Sequence, residues 1–125
     1  MRGTLERLNR PRVPLTRKTS SERVLVREVP AVSIETARCL YNLANAYFGV
    51  GRVEEAIETH RQALALRRKI GHRPGEGASL RALAKALEHV GDREGARRSL
   101  ADALVVLEEL GSADTAKVRA ELLNL

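Results

Sequence analysis

Residues 40–71 read LYNLANAYFGVGRVEEAIETHRQALALRRKIG, and residues 80–111 read LRALAKALEHVGDREGARRSLADALVVLEELG. Laid over one another at an offset of 80 − 40 = 40, the two stretches share 11 of 32 positions without a gap: Leu40/Leu80, Leu43/Leu83, Ala44/Ala84, Ala46/Ala86, Val50/Val90, Gly51/Gly91, Glu54/Glu94, Ala56/Ala96, Ala63/Ala103, Leu64/Leu104 and Gly71/Gly111. Roughly a tenth would coincide by chance in a chain this rich in Ala and Leu. The identities fall on apolar, small and glycine positions, where packing and chain reversal need them, so the repeat is physical.

Each copy reads as two helices. Leu40, Leu43, Ala44 and Tyr47, and in the second copy Leu80, Leu83, Ala84 and Leu87, recur at three- and four-residue spacing and mark one face of a first helix. Gly49 and Gly51, and then Gly91-Asp92, punctuate the chain, since a glycine just past a helix end takes the left-handed conformation that closes it. A second helix follows, with Ala56, Ile57, His60, Ala63, Leu64 and Ile70 along one side. Its counterpart carries Ala96, Leu100, Ala103, Leu104, Leu107 and Leu110. His72-Arg73-Pro74-Gly75 is expected to form the turn between copies. Ala113 to Leu123 reads as a capping helix, with Leu123 placed 123 − 83 = 40 residues after Leu83.

This pattern resembles the tetratricopeptide repeat. It is carried by Leu40-x-x-Leu43-Ala44-x-x-Tyr47, Gly51, Ala56 and Ala63-Leu64, and again by Leu80, Leu83, Ala84, Leu87, Gly91, Ala96, Leu100 and Ala103. The resemblance covers about residues 34–123. The period of 40 exceeds the family's usual ~34 residues, and the proline that normally ends the second helix is absent. Lengthened repeats of this kind are similar to those of kinesin light chains and of large bacterial multidomain regulators. A HEAT-like pair has a comparable period, but the glycine-flanked turn and the small-residue pattern favour the tetratricopeptide reading. The resemblance implies an all-α fold, an α-solenoid of two helical hairpins plus a capping helix. Its repeats are expected at about 37–71 and 77–111 and its cap at about 113–123, behind a basic, loosely ordered leader of residues 1–33.

Composition agrees. Hydrophobic residues make up 43% of the 125 and aromatics only 2%, so a core must be built from Leu, Ala, Val and Ile. Residues 1–30 carry eight basic and three acidic residues, a balance of +5; the remainder has 22 − 8 = 14 bases and 16 − 3 = 13 acids, a balance of +1. The single cysteine, Cys39, excludes an intrachain disulfide and is expected to be buried or half-buried. No signal-peptide run opens the chain and no stretch is long and apolar enough to span a bilayer, so a cytoplasmic protein with no membrane partner is expected. The excess of Arg over Lys, with abundant Ala and Leu, suggests a GC-rich bacterial genome.

No catalytic constellation emerges. His60, His72 and His89 form no metal-ligand spacing, no phosphate loop is present, and neither a cofactor nor enzymatic activity is expected. His60 sits at the position equivalent to Leu100 and reads as a packing residue. Gly71-x-x-x-Gly75-x-Gly77 precedes a helix and can cradle an anion, though the inter-repeat turn accounts for it. The resemblance supplies the better lead, because in that family the first helix of each pair lines a concave groove. By carry-over Arg38, Tyr41, Asn42, Asn45 and Phe48 face it in the first copy, and Arg81, Lys85, Glu88 and His89 in the second. Asn42 and Asn45 can grip a peptide backbone, and Arg81 and Lys85 can receive a carboxylate.

The expected function is non-catalytic binding of a protein or peptide in that groove. One alternative is a fragment, or the oligomerisation or sensor part, of a bacterial transcriptional regulator. A second is a nucleic-acid binder acting through the basic leader. That leader lacks interleaved aromatics and any recognisable motif, which makes nucleic acid the weaker partner. Two hairpins and a cap are few for a solenoid, and nothing obvious covers the outer side of Leu40 and Tyr47. The leader folding back, self-association through the open N-terminal end, or membership of a longer repeat array would each cover it.

Overall fold

The computed structural model describes residues 30–125, with side chains from residue 33 onward. Five α-helices follow one another: α1 (Pro30–Gly49), α2 (Val53–Lys69), α3 (Arg73–His89), α4 (Arg93–Leu110) and α5 (Thr115–Leu123). All regular structure among the described residues is helical. The expectations for the leader, including the nucleic-acid reading, fall on residues outside those described, except that residues 30–33 belong to α1.

The helices end alike. Gly51, Gly71, Gly91 and Gly111 all have positive φ, between 63° and 88°, and each lies 20 residues from the next. In every case the residue after the glycine donates its N–H five residues back: Arg52 to Tyr47 O at 2.8 Å, and His72 to Arg67 O, Asp92 to Leu87 O and Ser112 to Leu107 O at 2.9 Å each. This six-to-one closure satisfies carbonyls that a helix end would otherwise leave without a donor. The 40-residue repeat is therefore two near-equal helix-and-turn units of 20. Turns this short make successive helices antiparallel.

Helix starts differ from the sequence expectation in two places. α1 begins at Pro30, ahead of residue 34, since proline's fixed φ suits a first helical turn. α3 begins at Arg73, four residues before 77, with Pro74 in its first turn. Pro74, Gly75 and Gly77 are thus inside the helix, not in the turn. α4 packs over Gly77 at ordinary van der Waals distance, where a Cβ would meet Leu107 and Val106 at 3.5 Å.

The core runs through α3. Leu80, Leu83 and Leu87 are at most 5% exposed and pack in one cluster with Ile57 and Leu64 of α2, Leu100, Ala103, Val106 and Leu107 of α4, and Val118 of α5. Burying each leucine contributes about 1.5–3 kcal/mol. Ala44, Ala56, Ala63, Ala84, Ala96 and Ala103 are buried, as small residues at helix crossings must be. Leu43, Leu83 and Leu123 occupy one phase of the repeat but are 45%, 5% and 81% exposed. Leu83 lies on a helix packed against both α2 and α4; Leu123 has only α4 behind it. Leu123 therefore continues the phase without packing as its counterpart does. Leu110 is likewise exposed, contrary to expectation, and so is Cys39. Cys39 is one 40-residue step before Ser79, which is fully buried on α3. The position is buried only where a neighbouring second helix covers it.

Candidate functional site

The side chains singled out as groove-facing start from two helices, α1 and α3, at matching phase. Tyr41 on α1 and Arg81 on α3 are 40 residues apart, as are Asn45 and Lys85. One further step from Arg81 is Glu121 on α5. These positions converge on an open groove of about 550 Å³ lined by Tyr41, Asn45, Arg81, Lys85, Glu88, Lys117 and Glu121, with Ala78 and Ala82 between them. Five of the nine expected residues are thus together. Asn42 is exposed and outside the lining. Arg38 pairs with Glu35 one turn before it and also lies outside the lining. Phe48 and His89 form a separate edge-to-face pair, centroids 5.4 Å apart. Lys85 links that pair to the groove, its ammonium 5.8 Å from the Phe48 ring centre.

The charges of the groove are partly spent. Arg81 Nη2 donates to Glu121 Oε2 at 3.1 Å, and Nη1 lies 3.7 Å from Asp114 Oδ2, so its guanidinium is held by two carboxylates from α5 and its vicinity. Lys85 and Lys117 make no ion pair among the described residues, leaving two cations against Glu88. Sequence reasoning missed Lys117 and Glu121. The signal was available for Glu121: extending the 41–81 register by one more step reaches it.

Tyr41 is fixed from below. Arg67, on α2, is 7% exposed, and its guanidinium carbon lies 4.9 Å from the Tyr41 ring centre. Its Nη1 donates to Gly75 O and to Ser79 Oγ, both at 3.0 Å. No carboxylate pairs with it among the described residues, and burial lowers its pKa, with the charge of the Tyr41 phenol acting in the opposite sense. His60, 1% exposed, meets the edge of the same ring at 5.4 Å between centroids. Burial, and secondarily the Arg67 charge, hold its pKa down at about 4, so the imidazole is neutral at pH 7. This agrees with His60 as a packing residue.

The arrangement offers amide donors and acceptors at Asn45, an aromatic wall at Tyr41 and two ammonium groups without an ion pair among the described residues. No group of three or more His, Cys, Asp or Glu residues that could hold a metal occurs among the described residues, and none of their helices is long and apolar enough to cross a membrane. No curated protein matches the chain. The family model described as Tetratricopeptide repeat matches residues 35–109, which include both hairpins. The chain belongs to the tetratricopeptide repeat family.

Proposed function

We propose that the groove formed by α1, α3 and α5 binds a segment of another protein, in an adaptor role carried out in the cytoplasm. Tetratricopeptide repeats are in general protein–protein interaction modules and non-catalytic scaffolds. The observation that carries the reading here is the convergence of Tyr41, Asn45 and Lys85 from two helices on one groove, with Lys117 from a third. Asn45 supplies a donor pair and an acceptor for a peptide backbone, Tyr41 a flat apolar wall, and Lys85 and Lys117 point charges for an acidic side chain. Arg81 contributes by holding α5 in place, since its charge is already matched within the chain.

Peptide display against the full chain, counter-selected with an Asn45→Ala/Lys85→Ala variant, tests this. Both side chains are exposed, so the variant keeps its helices, which far-ultraviolet circular dichroism verifies. Selected peptides are expected to lose affinity for the variant. Peptides that bind both proteins equally would remove the groove from consideration.

A further inference from the structure

α1 carries in the open a seam that its counterpart α3 buries. Cys39, Leu43, Ala46 and Val50 are four, three and four residues apart, the spacing of a helix–helix seam. At 100° per residue they fall within about 60° of one another around the helix. One repeat later the same phase holds Ser79, Leu83, Ala86 and Val90 on α3, identical at three of the four positions. There Ser79, Leu83 and Ala86 are buried, and Ser79 accepts from Arg67 of α2. On α1 all four residues are exposed, Val50 by 73%.

The chemistry of α1 is that of a contact surface. It has two charged residues in 20, Glu35 and Arg38, which pair with each other; α2 has seven in 17 and α4 seven in 18. From Cys39 to Gly51 there is no charged residue. A helix that ends a stack of repeats ordinarily turns a polar face to water, and α1 turns a seam without charge. Leu43 stands about 160° around the helix from both Tyr41 and Asn45, so the seam is separate from the concave groove.

We infer that this seam is an interface between two copies of the chain, α1 packing antiparallel on α1 about a two-fold axis that passes between Leu43 and Ala46. The seam is complementary to itself in that register. Each layer sets a larger side chain against a smaller one: Leu43 of one copy against Ala46 of the other, and Val50 against Cys39. A two-fold contact repeats every such pair twice, and a second copy brings no charge into the seam that would need a buried partner. From Cys39 to Val50 the paired stretch is about 16 Å long. Even with Leu40 and Tyr47 on its flanks, it lies below about 1,200 Å², the class of weak, reversible contacts.

Sedimentation equilibrium of the full chain, kept reduced, tests this. Reversible dimers are expected as the concentration rises toward roughly 1 mM. Leu43→Glu and, separately, Ala46→Glu should each weaken association by about tenfold or more. Circular dichroism checks that both keep their helices; Ala46 is exposed, so Ala46→Glu decides if Leu43→Glu disturbs α1. Val105→Glu, at an exposed apolar position on α4, should leave association unchanged. Disulfide trapping reads the register. Val50→Cys should give a covalent dimer on mild oxidation, joining Cys39 of one copy to the new thiol of the other. Within one chain those two positions are about 16 Å apart along the helix, too far to join. In the wild type, and in Cys39→Ala/Val50→Cys, the symmetry-related thiols are separated by about the same distance and should not cross-link. A chain that stays monomeric, association indifferent to both glutamate changes, or association weakened equally by Val105→Glu overturns the inference. Covalent dimers of the wild type or of Cys39→Ala/Val50→Cys, formed as fast as those of Val50→Cys, overturn it as well.

Discussion

Gly75→Ala should destabilise the protein, although alanine is the better helix former and Gly75 lies inside α3. A Cβ built on Gly75 would sit 2.7 Å from Arg67 Cδ and Nε and 2.5 Å from His72 Nδ1. Carbon atoms approach comfortably to about 3.5–4.0 Å, so the Arg67 chain must retreat by roughly 0.8 Å. It cannot do so and keep both of its hydrogen bonds, since Nη1 holds Gly75 O and Ser79 Oγ together. One lost bond from a charged donor costs about 1.5–3 kcal/mol, and an overpacked core position costs about 1–3 kcal/mol more. Alanine's helix propensity returns about 1 kcal/mol. The net loss is about 1.5–5 kcal/mol, or roughly 5–30 °C in Tm for a domain of this size. Urea unfolding followed by circular dichroism reads it. In an Arg67→Ala background the main obstruction is gone and only the His72 ring, a half-buried side chain, has to turn aside. There Gly75→Ala should be neutral or stabilising by up to about 1 kcal/mol, giving a coupling of about 1.5–6 kcal/mol in the double-mutant cycle. An equal cost in both backgrounds, or a more stable single variant, refutes the reasoning.

His60 sets an acid dependence. Its folded pKa, about 4, lies below the ordinary 6.5, so it contributes stability that is intact above pH 6.5 and is lost as the pH falls toward 4. The loss is at most about 3 kcal/mol at 1.36 kcal/mol per unit, and His60→Leu, which copies Leu100, should flatten the stability profile in that window. Gly51→Ala, at φ 87°, should cost about 1–2 kcal/mol. Gly49→Ala, two residues earlier at the end of α1 with nothing within 4 Å of a new Cβ, should be neutral or stabilising by thermal melt. Asp92→Ala should cost about 1 kcal/mol by removing the cap on Gly95 N; no change in the urea midpoint would show that the bond is replaced by water.

Periodicity revealed the helices because Leu80, Leu83, Ala84 and Leu87 repeat a face that must be buried wherever the chain buries it. The groove-facing residues came from the family resemblance, and the 40-residue step from Tyr41 to Arg81 and from Asn45 to Lys85 accounts for their common phase. Periodicity failed at the ends of the repeat. Cys39 and Leu43 have the phase of Ser79 and Leu83 but a different exposure, since phase fixes direction and not the presence of a neighbour. It also failed at α3's beginning. Pro74-Gly75-x-Gly77 has the composition of a turn, yet proline tolerates the first turn of a helix, and Gly75 leaves room for Arg67.

Arg67 shows where pattern reading stops. Charged residues on a helix are assigned to solvent because burying a charge is costly, and the run Arg67-Arg68-Lys69 looks like a basic last turn matched to the helix dipole. Arg68 and Lys69 follow that rule and are exposed; Arg67 does not. Its burial depends on a carbonyl eight residues on, a hydroxyl twelve residues on, the missing side chain at Gly75 and the face of Tyr41 twenty-six residues back. No one of these is a motif. Together they give one guanidinium two hydrogen bonds from Nη1 and an aromatic face in place of water, with Nε left buried and unpartnered. In doing so they clamp α1, α2 and α3 around the residue that forms the wall of the concave groove. The groove's geometry therefore depends on a buried cation with no acidic partner among the described residues, and a substitution at Gly75 should reach Tyr41 through Arg67 although Gly75 is not part of the groove's lining.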